Sequence, residues 1–306
     1  MTKVEDISFE TEADKLVHFT LKGGMVRGLL ISGTQLVRDA VHIHHTSAVA
    51  TAALGRTLMG TAMLCATLKD DITSVTVTID GGGPLGRVVC VGDKGTVRGL
   101  VDHPEVQLPL RKDGKLNVGM AVGKQGRMTV VKDMGMKNPY IGQTALVSGE
   151  IAEDFAAYYV QSEQKPTLQS LGVLVSGGLV LRAGGVLLQP MPGCDSAVIE
   201  ELELRSPMLG DISREMCYEP LEDLVQHWLN GMDYVALERE TIVYRCNCSR
   251  TRMEKALISL GKEELQQMID DEQDGAELCC HFCHKKEHFS QDELRTLLMQ
   301  AVRKEG

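Results

Sequence analysis

Five of the nine cysteines crowd between positions 246 and 283, and they are the residues whose types and spacing best suit chemistry. Cys246-Asn247-Cys248 is a C-x-C pair and Cys280-His281-Phe282-Cys283 a C-x-x-C pair, with 31 residues between them. A tetrahedral zinc ion takes four soft or borderline ligands, usually delivered as two close pairs from two chain segments. Cys246, Cys248, Cys280 and Cys283 are therefore the expected thiolate ligands of one Zn2+ per chain. Four thiolates fill the coordination sphere and leave no open position for water, which argues against zinc-assisted hydrolysis. Cys279 offers a competing register with Cys283, C-x-x-x-C; Cys280 is preferred because its spacing is the usual one. His281, His284 and His288 lie nearby as spare ligands, and solvent exposure is the simpler reading of each.

An inert zinc clip satisfies this spacing, and so does a switch. A unit of about 65 residues rarely gains more than about 3–5 kcal/mol from its own core. A structural zinc site supplies about 10–16 kcal/mol of apparent binding free energy, so removing the metal should unfold the unit. Zinc-held thiolates can be oxidised to disulfides, and a C-x-x-C pair is close enough to bridge. Oxidation would then eject zinc and convert redox state into local unfolding. The other four cysteines, Cys65, Cys90, Cys194 and Cys217, are scattered, mostly among apolar neighbours, and read as small core residues.

The elements that must position this cluster follow from the patterning. Residues 239–306 read as a small C-terminal zinc-binding domain: strand-like ETIVYR leads into Cys246, Met253, Ala256, Leu257 and Leu260 suggest one helix, and Leu265, Met268 and Ile269 another. Ser290 and Glu293 form a capping-box pattern ahead of a last amphipathic helix carrying Leu294, Leu297, Leu298, Ala301 and Val302. Residues 193–238 read as a helical linker. Its second helix, EPLEDLVQHWLNGM, carries Leu221, Leu224, Val225, Trp228 and Leu229 at i, i+3, i+4, i+7 and i+8, a stripe that must bury itself, and the large domain is the expected partner.

Residues 1–192 read as a large α+β domain with a mainly antiparallel, hairpin-built sheet and packed helices. One long helix is expected from Thr34 to Lys69, dense in Ala, Thr and Met. TSVTVTID alternates as a strand, and further strands are expected at RVVCV, GRMTVVKDM, LGVLVS and GLVLRAGGVLLQ. GEIAEDFAAYYVQSEQKP reads as a helix with Ile151, Phe155, Tyr158 and Tyr159 on one face and Pro166 beyond its end. Gly81-Gly82-Gly83-Pro84-Leu85-Gly86 matches G-x-G-x-x-G, but Pro84 lies inside it and a strand pattern follows. A dinucleotide fingerprint needs a helix N-terminus there, so a hairpin turn is expected instead. GMAVGKQ falls short of a phosphate-binding loop, and no ATPase signature or catalytic triad can be argued.

Composition narrows the rest. A net charge of −10 and 4% aromatic residues disfavour nucleic-acid binding. Apolar runs read as shorter than the ~18–20 residues of a membrane span, and MTKVEDISFETEADK is acidic where a secretory signal is basic and then apolar. A cytoplasmic protein is expected, with clustered cysteines used for metal or redox chemistry.

The two cysteine pairs, together with NPYIGQTALVSGEIAEDFAAYYVQSEQKPTLQSLGVLV and AGGVLLQPMPG, resemble the heat-shock protein 33 family of redox-regulated chaperones over almost the whole chain. The resemblance implies an ATP-independent holdase rather than an enzyme. In that family the reduced, zinc-bound form is inactive. Oxidation pairs the cysteines within each motif, here Cys246 with Cys248 and Cys280 with Cys283, the latter first. Zinc is released, the switch unfolds, and a surface that binds unfolding or oxidatively damaged client proteins is exposed. The active form is expected to be a homodimer, and the linker stripe is the candidate client-binding surface. Cys279 departs from the family pattern and could reshuffle with Cys280. A constitutive zinc-binding adaptor and a thiol oxidoreductase remain the alternatives, the second weakened by the lack of a thioredoxin-like βαβ context. A zinc-finger nucleic-acid binder is a third class, opposed by the acidic charge.

Overall fold

The computed structural model describes residues 13–68, 74–135, 138–271 and 274–305. The acidic N-terminal stretch up to residue 12, Lys69 at the expected end of the long helix, and the side chain of Val302 lie outside the described residues. The chain divides after Arg245 into two compact units.

The first unit begins with a hairpin of β1 (Lys15–Leu21) and β2 (Val26–Ser32), followed by helices α1 (Thr34–His44) and α2 (Ala48–Ala66). The single long helix expected here is two. His45 ends α1 in the left-handed conformation with its N–H on the Val41 carbonyl, and Ser47 Oγ starts α2 by accepting the Ala50 N–H at 3.3 Å. Next come β3 (Ser74–Asp80), β4 (Val88–Asp93), β5 (Thr96–Val101), α3 (Val118–Val122), β6 (Arg127–Asp133), β7 (Tyr140–Ala145), α4 (Ala152–Gln161), β8 (Leu168–Ser176) and β9 (Leu179–Pro190). The linker supplies α5 (Ser196–Arg205), a 3-10 turn over Ser206–Asp211, α6 (Ile212–Glu215) and α7 (Leu221–Trp228). Strands β10 (Val235–Thr241) and β11 (Val243–Tyr244) close the unit.

These strands build two sheets, in the orders β10-β1-β2-β9-β8 and β11-β5-β4-β3-β6-β7. Every pairing is antiparallel except that of β11 on β5, so the class is α+β with mainly antiparallel sheets, as expected. Helix α2 packs against strands of both sheets. By length and composition it could cross a membrane, contrary to the sequence reading of its apolar runs. It is 83% buried inside the unit, the mark of a core helix. Small residues allow that position: a Cβ on Gly60 would lie 2.5 Å from the Phe155 ring of α4. Its buried Thr57 and Thr61 hydroxyls are satisfied by the Ala53 and Thr57 carbonyls one turn back.

The glycine-rich segment at 81–86 is the connection between β3 and β4, not a nucleotide cradle. A Cβ on Gly81 or Gly83 would fall 2.3–2.4 Å from carbonyl oxygens of residues 121 and 123, so these glycines let two backbones pack. Helix α4 begins one residue later than its apolar pattern suggests. Ile151 is its cap at φ +71, a conformation rare for a β-branched residue. The buried Asp154 carboxylate stabilises it by accepting the N–H groups of Val147 (2.8 Å) and Ile151 (3.0 Å).

The first sheet is covered on both faces. One faces α2 and the main core; on the other, Val17, Phe19, Leu30 and Val186 pack against the linker helices in a second core. The second unit contains α8 (Arg250–Leu260), α9 (Lys262–Asp271), the hairpin β12 (Ala276–Cys279) and β13 (Lys286–Phe289), and α10 (Gln291–Glu305). Its core is small: Met253, Leu257, Leu265, Ala276, Phe289, Leu294, Leu297 and Ala301. Ala256 and Leu260, read from sequence as part of that face, are exposed instead. The capping box forms, with Ser290 N–H donating to Glu293 Oε2 at 2.8 Å and Glu293 N–H to Ser290 Oγ at 3.4 Å.

Candidate metal centre and the linker stripe

The second unit brings the two cysteine pairs together. Cys246 and Cys248 lie just before α8, whose first turn is capped by Ser249 Oγ accepting the Arg252 N–H at 3.3 Å. Cys280 and Cys283 occupy the turn between β12 and β13. That turn is closed by Cys280 N–H on the Lys285 carbonyl (2.9 Å) and His284 N–H on the Cys280 carbonyl (2.8 Å). His284 takes φ +57, the left-handed residue that lets so short a turn fold back. The four Sγ atoms all lie within 4.8 Å of one another. Across the motifs, Cys246 and Cys280 approach to 3.7 Å and Cys248 and Cys283 to 3.3 Å.

Such a group could hold a metal ion. Cys279 is exposed, with Lys286 opposite it on β13, and is outside the group, as are the exposed His281, His284 and His288. Burial raises the pKa of Cys246 and Cys248. Burial acts the same way on Cys280, but the N–H groups of Phe282 and Cys283 and the neighbouring thiols outweigh it and bring that thiol below its usual value. Among the remaining cysteines, Cys90 is fully buried and Cys65 is pushed up to about 12 by burial and by Asp93. Cys194 and Cys217 are half-buried, and burial raises both.

Sequence reasoning missed Arg250. Two residues after Cys248, its guanidinium lies 4.3 Å over the Phe289 ring and donates to Glu293 (2.6 Å), Glu287 (3.2 Å) and the His288 carbonyl (2.9 Å). It therefore ties the start of α8 to β13 and α10, on the far side of the cysteine turn. Only its position beside the C-x-C pair hinted at this.

In the first unit the linker stripe is closed. Leu221, Leu224, Val225, Trp228 and Leu229 are between 0 and 8% exposed, packed in the second core. Arg205 donates to the Trp228 (2.6 Å) and Asn230 (3.0 Å) carbonyls and so satisfies the C-terminal end of α7. At the edge of the stripe on α7, Glu222 accepts from Arg239 of β10 at 2.6 Å and from the Tyr234 hydroxyl at 3.4 Å, with Lys15 of β1 at 3.9 Å. Beyond β10 the chain is fastened again. The Tyr244 hydroxyl donates to the Gly99 carbonyl at 2.9 Å and lies 3.1 Å from His44 Nε2. None of these fastenings was legible in the periodicity.

The Hsp33 protein family model matches residues 14–290. A 33 kDa chaperonin of Alkaliphilus metalliredigens is 43% identical over 94% of this chain and 99% of that protein. One from Clostridium beijerinckii is 42% identical over 93% and 98%. The crystal structure of a 33 kDa chaperonin from Thermotoga maritima superposes with a TM-score of 0.87 at 34% identity, covering 95% of this chain and all of that one. With the family model spanning nearly the whole length and both cysteine pairs folded into one cluster, the chain belongs to the Hsp33 family.

Proposed function

We propose that this protein is a redox-regulated, ATP-independent holdase chaperone of the cytoplasm whose resting form carries one zinc ion on Cys246, Cys248, Cys280 and Cys283. The observation that carries the reading is the tetrathiol cluster in a unit with so small a core. Thiolates about 2.3 Å from a tetrahedral zinc stand about 3.8 Å apart, and the 3.7 and 3.3 Å separations across the motifs suit that ion. When bound, zinc supplies structural coordination and no open position for chemistry. The thiols do the rest. Two-electron oxidation of Cys280 and Cys283 by a peroxide forms their S–S bond and reduces the peroxide to water and alcohol. A second equivalent joins Cys246 to Cys248. Disulfide sulfur is a poor ligand, so the oxidised cysteines would no longer hold zinc, and the second unit would lose the stabilisation that the metal supplies when bound.

The linker, residues 193–238, then loses its closed state and presents Leu221, Leu224, Val225, Trp228 and Leu229 to unfolding or oxidatively damaged proteins. An exposed apolar surface of this kind binds without chemical specificity, and two copies pair in the active form. The test is metal content, thiol count and suppression of aggregation on one sample before and after peroxide. The reading expects one zinc lost, four thiols consumed and activity gained together. Activity indifferent to oxidation would favour a constitutive adaptor, and turnover of a disulfide substrate an oxidoreductase.

A further inference from the structure

The outer edge of β1 is closed by a strand poorly matched to it. On its inner side β1 pairs with β2 in unbroken register from Lys15↔Ser32 to Leu21↔Val26. On its outer side the register to β10 slips: Val17 faces Arg239, but Phe19 faces Ala236, so β10 carries an extra residue as a bulge. The apolar side chains of β10 bury little. Val235 and Leu237 are 52 and 60% exposed, and Ala236 with neighbouring Tyr234 provides its packing on the second core. Beneath it, Leu16, Val17, Phe19 and Leu21 are completely buried.

Part of what fastens β10 comes from the linker. Arg239 and Tyr234 are both held by Glu222, which belongs to α7 of the linker. β1 itself adds His18 with Glu240 at 2.8 Å and the Phe19 ring against that of Tyr234, with centroids 4.8 Å apart. Departure of α7 therefore removes part of the second-core cover and the Glu222 anchor of β10 in one step.

We propose that β1, uncovered in this way, is a strand-addition site. Its occupant is an extended client segment of about five to seven residues with alternating apolar side chains. Main-chain N–H and C=O groups of the segment replace those of β10, and its apolar face lies on Val17, Phe19 and Leu21 where Ala236 and Tyr234 now sit. β10 itself is the template: it is the strand seated there, and a segment without its bulge and with larger inward side chains displaces it. This rests on the holdase reading above and adds to it a backbone-directed preference that bare apolar surface lacks.

The test uses the full-length protein, oxidised and zinc-free, with two synthetic nonapeptides of alternating Val and Thr flanked by Lys. One is an ordinary peptide. In the other the central amides are replaced by esters, which keeps every side chain but removes the N–H donors. Strand addition predicts at least about tenfold weaker binding of the ester form, with slowed hydrogen exchange across Lys15–Leu21 only on binding the ordinary peptide. Equal affinities, or binding without protection of β1, overturn strand addition while leaving aggregation suppression intact. A protein that neither suppresses aggregation nor binds peptide overturns both readings.

Discussion

Leu224→Ala isolates the hold of the linker on the first sheet. Leu224 is 6% exposed within the second core, so its truncation removes buried methyl groups and leaves a cavity among residues such as Val225 and Trp228. Leu→Ala at such sites costs about 2–5 kcal/mol. A short helix at the surface collapses more readily than a central one, which places the cost near 3 kcal/mol. Every 1.4 kcal/mol is tenfold, so the open fraction of the linker rises by roughly a hundredfold. Trp228 is the only tryptophan and lies one turn away, which makes its fluorescence a direct reporter. In reduced, metal-loaded protein the variant should show increased acrylamide quenching of Trp228 and roughly hundredfold faster amide exchange in α7. Aggregation suppression should appear before any oxidant is added. Unchanged quenching and exchange would refute the claim that this stripe is what holds the linker down.

Three further outcomes follow from other parts of the molecule. Asp14 is buried, and burial raises its carboxyl to about 6 despite N–H donation from Leu36 and Gln35. A carboxyl raised on folding makes the native state take up protons between about pH 4 and 6, so its ionisation lowers stability as pH rises through that window. Wild type should therefore lose about 1 kcal/mol more between pH 5 and pH 7 than Asp14→Asn does, read from urea midpoints. Glu163 is held below the usual carboxylate range, against its burial, by Lys132 and the Tyr158 hydroxyl. Glu163→Gln leaves the Lys132 ammonium, whose residue is 7% exposed, without its counter-charge and should cost about 3–5 kcal/mol in thermal or urea unfolding. Finally, a strong zinc chelator under reducing conditions should abolish protection of amides in α8 and α10 while β3, β4 and β6 keep theirs. Simultaneous loss in both units would contradict independent stabilisation of the second by its metal.

The periodic elements were the legible part. TSVTVTID alternates because one face of β3 meets α2, and Leu221 to Leu229 repeat at helical spacing because one face of α7 meets the sheet. The cysteine cluster was legible for a different reason, since paired cysteines in a short segment have few other uses. Contacts between distant segments left no such trace. His45 and Ser47 divide α1 from α2 through a left-handed residue and a side-chain cap that an Ala-rich run conceals. ETIVYR reads as one strand, yet it ends β10 on one sheet and supplies β11 to the other. Which partner Glu222, Arg250 or Tyr244 meets depends on tertiary approach, and no local pattern encodes it.

The account depends most on coupling between the cysteine cluster and Trp228, and one titration measures it. Peroxide is added stepwise to the reduced, metal-loaded protein at a mildly destabilising temperature, with released zinc and Trp228 emission followed in the same cuvette. The account predicts that zinc release and a red shift of Trp228 rise together, followed by aggregation suppression in withdrawn samples. Zinc fully released while Trp228 stays buried would contradict it, because the cluster would then have no hold on the surface proposed to bind clients.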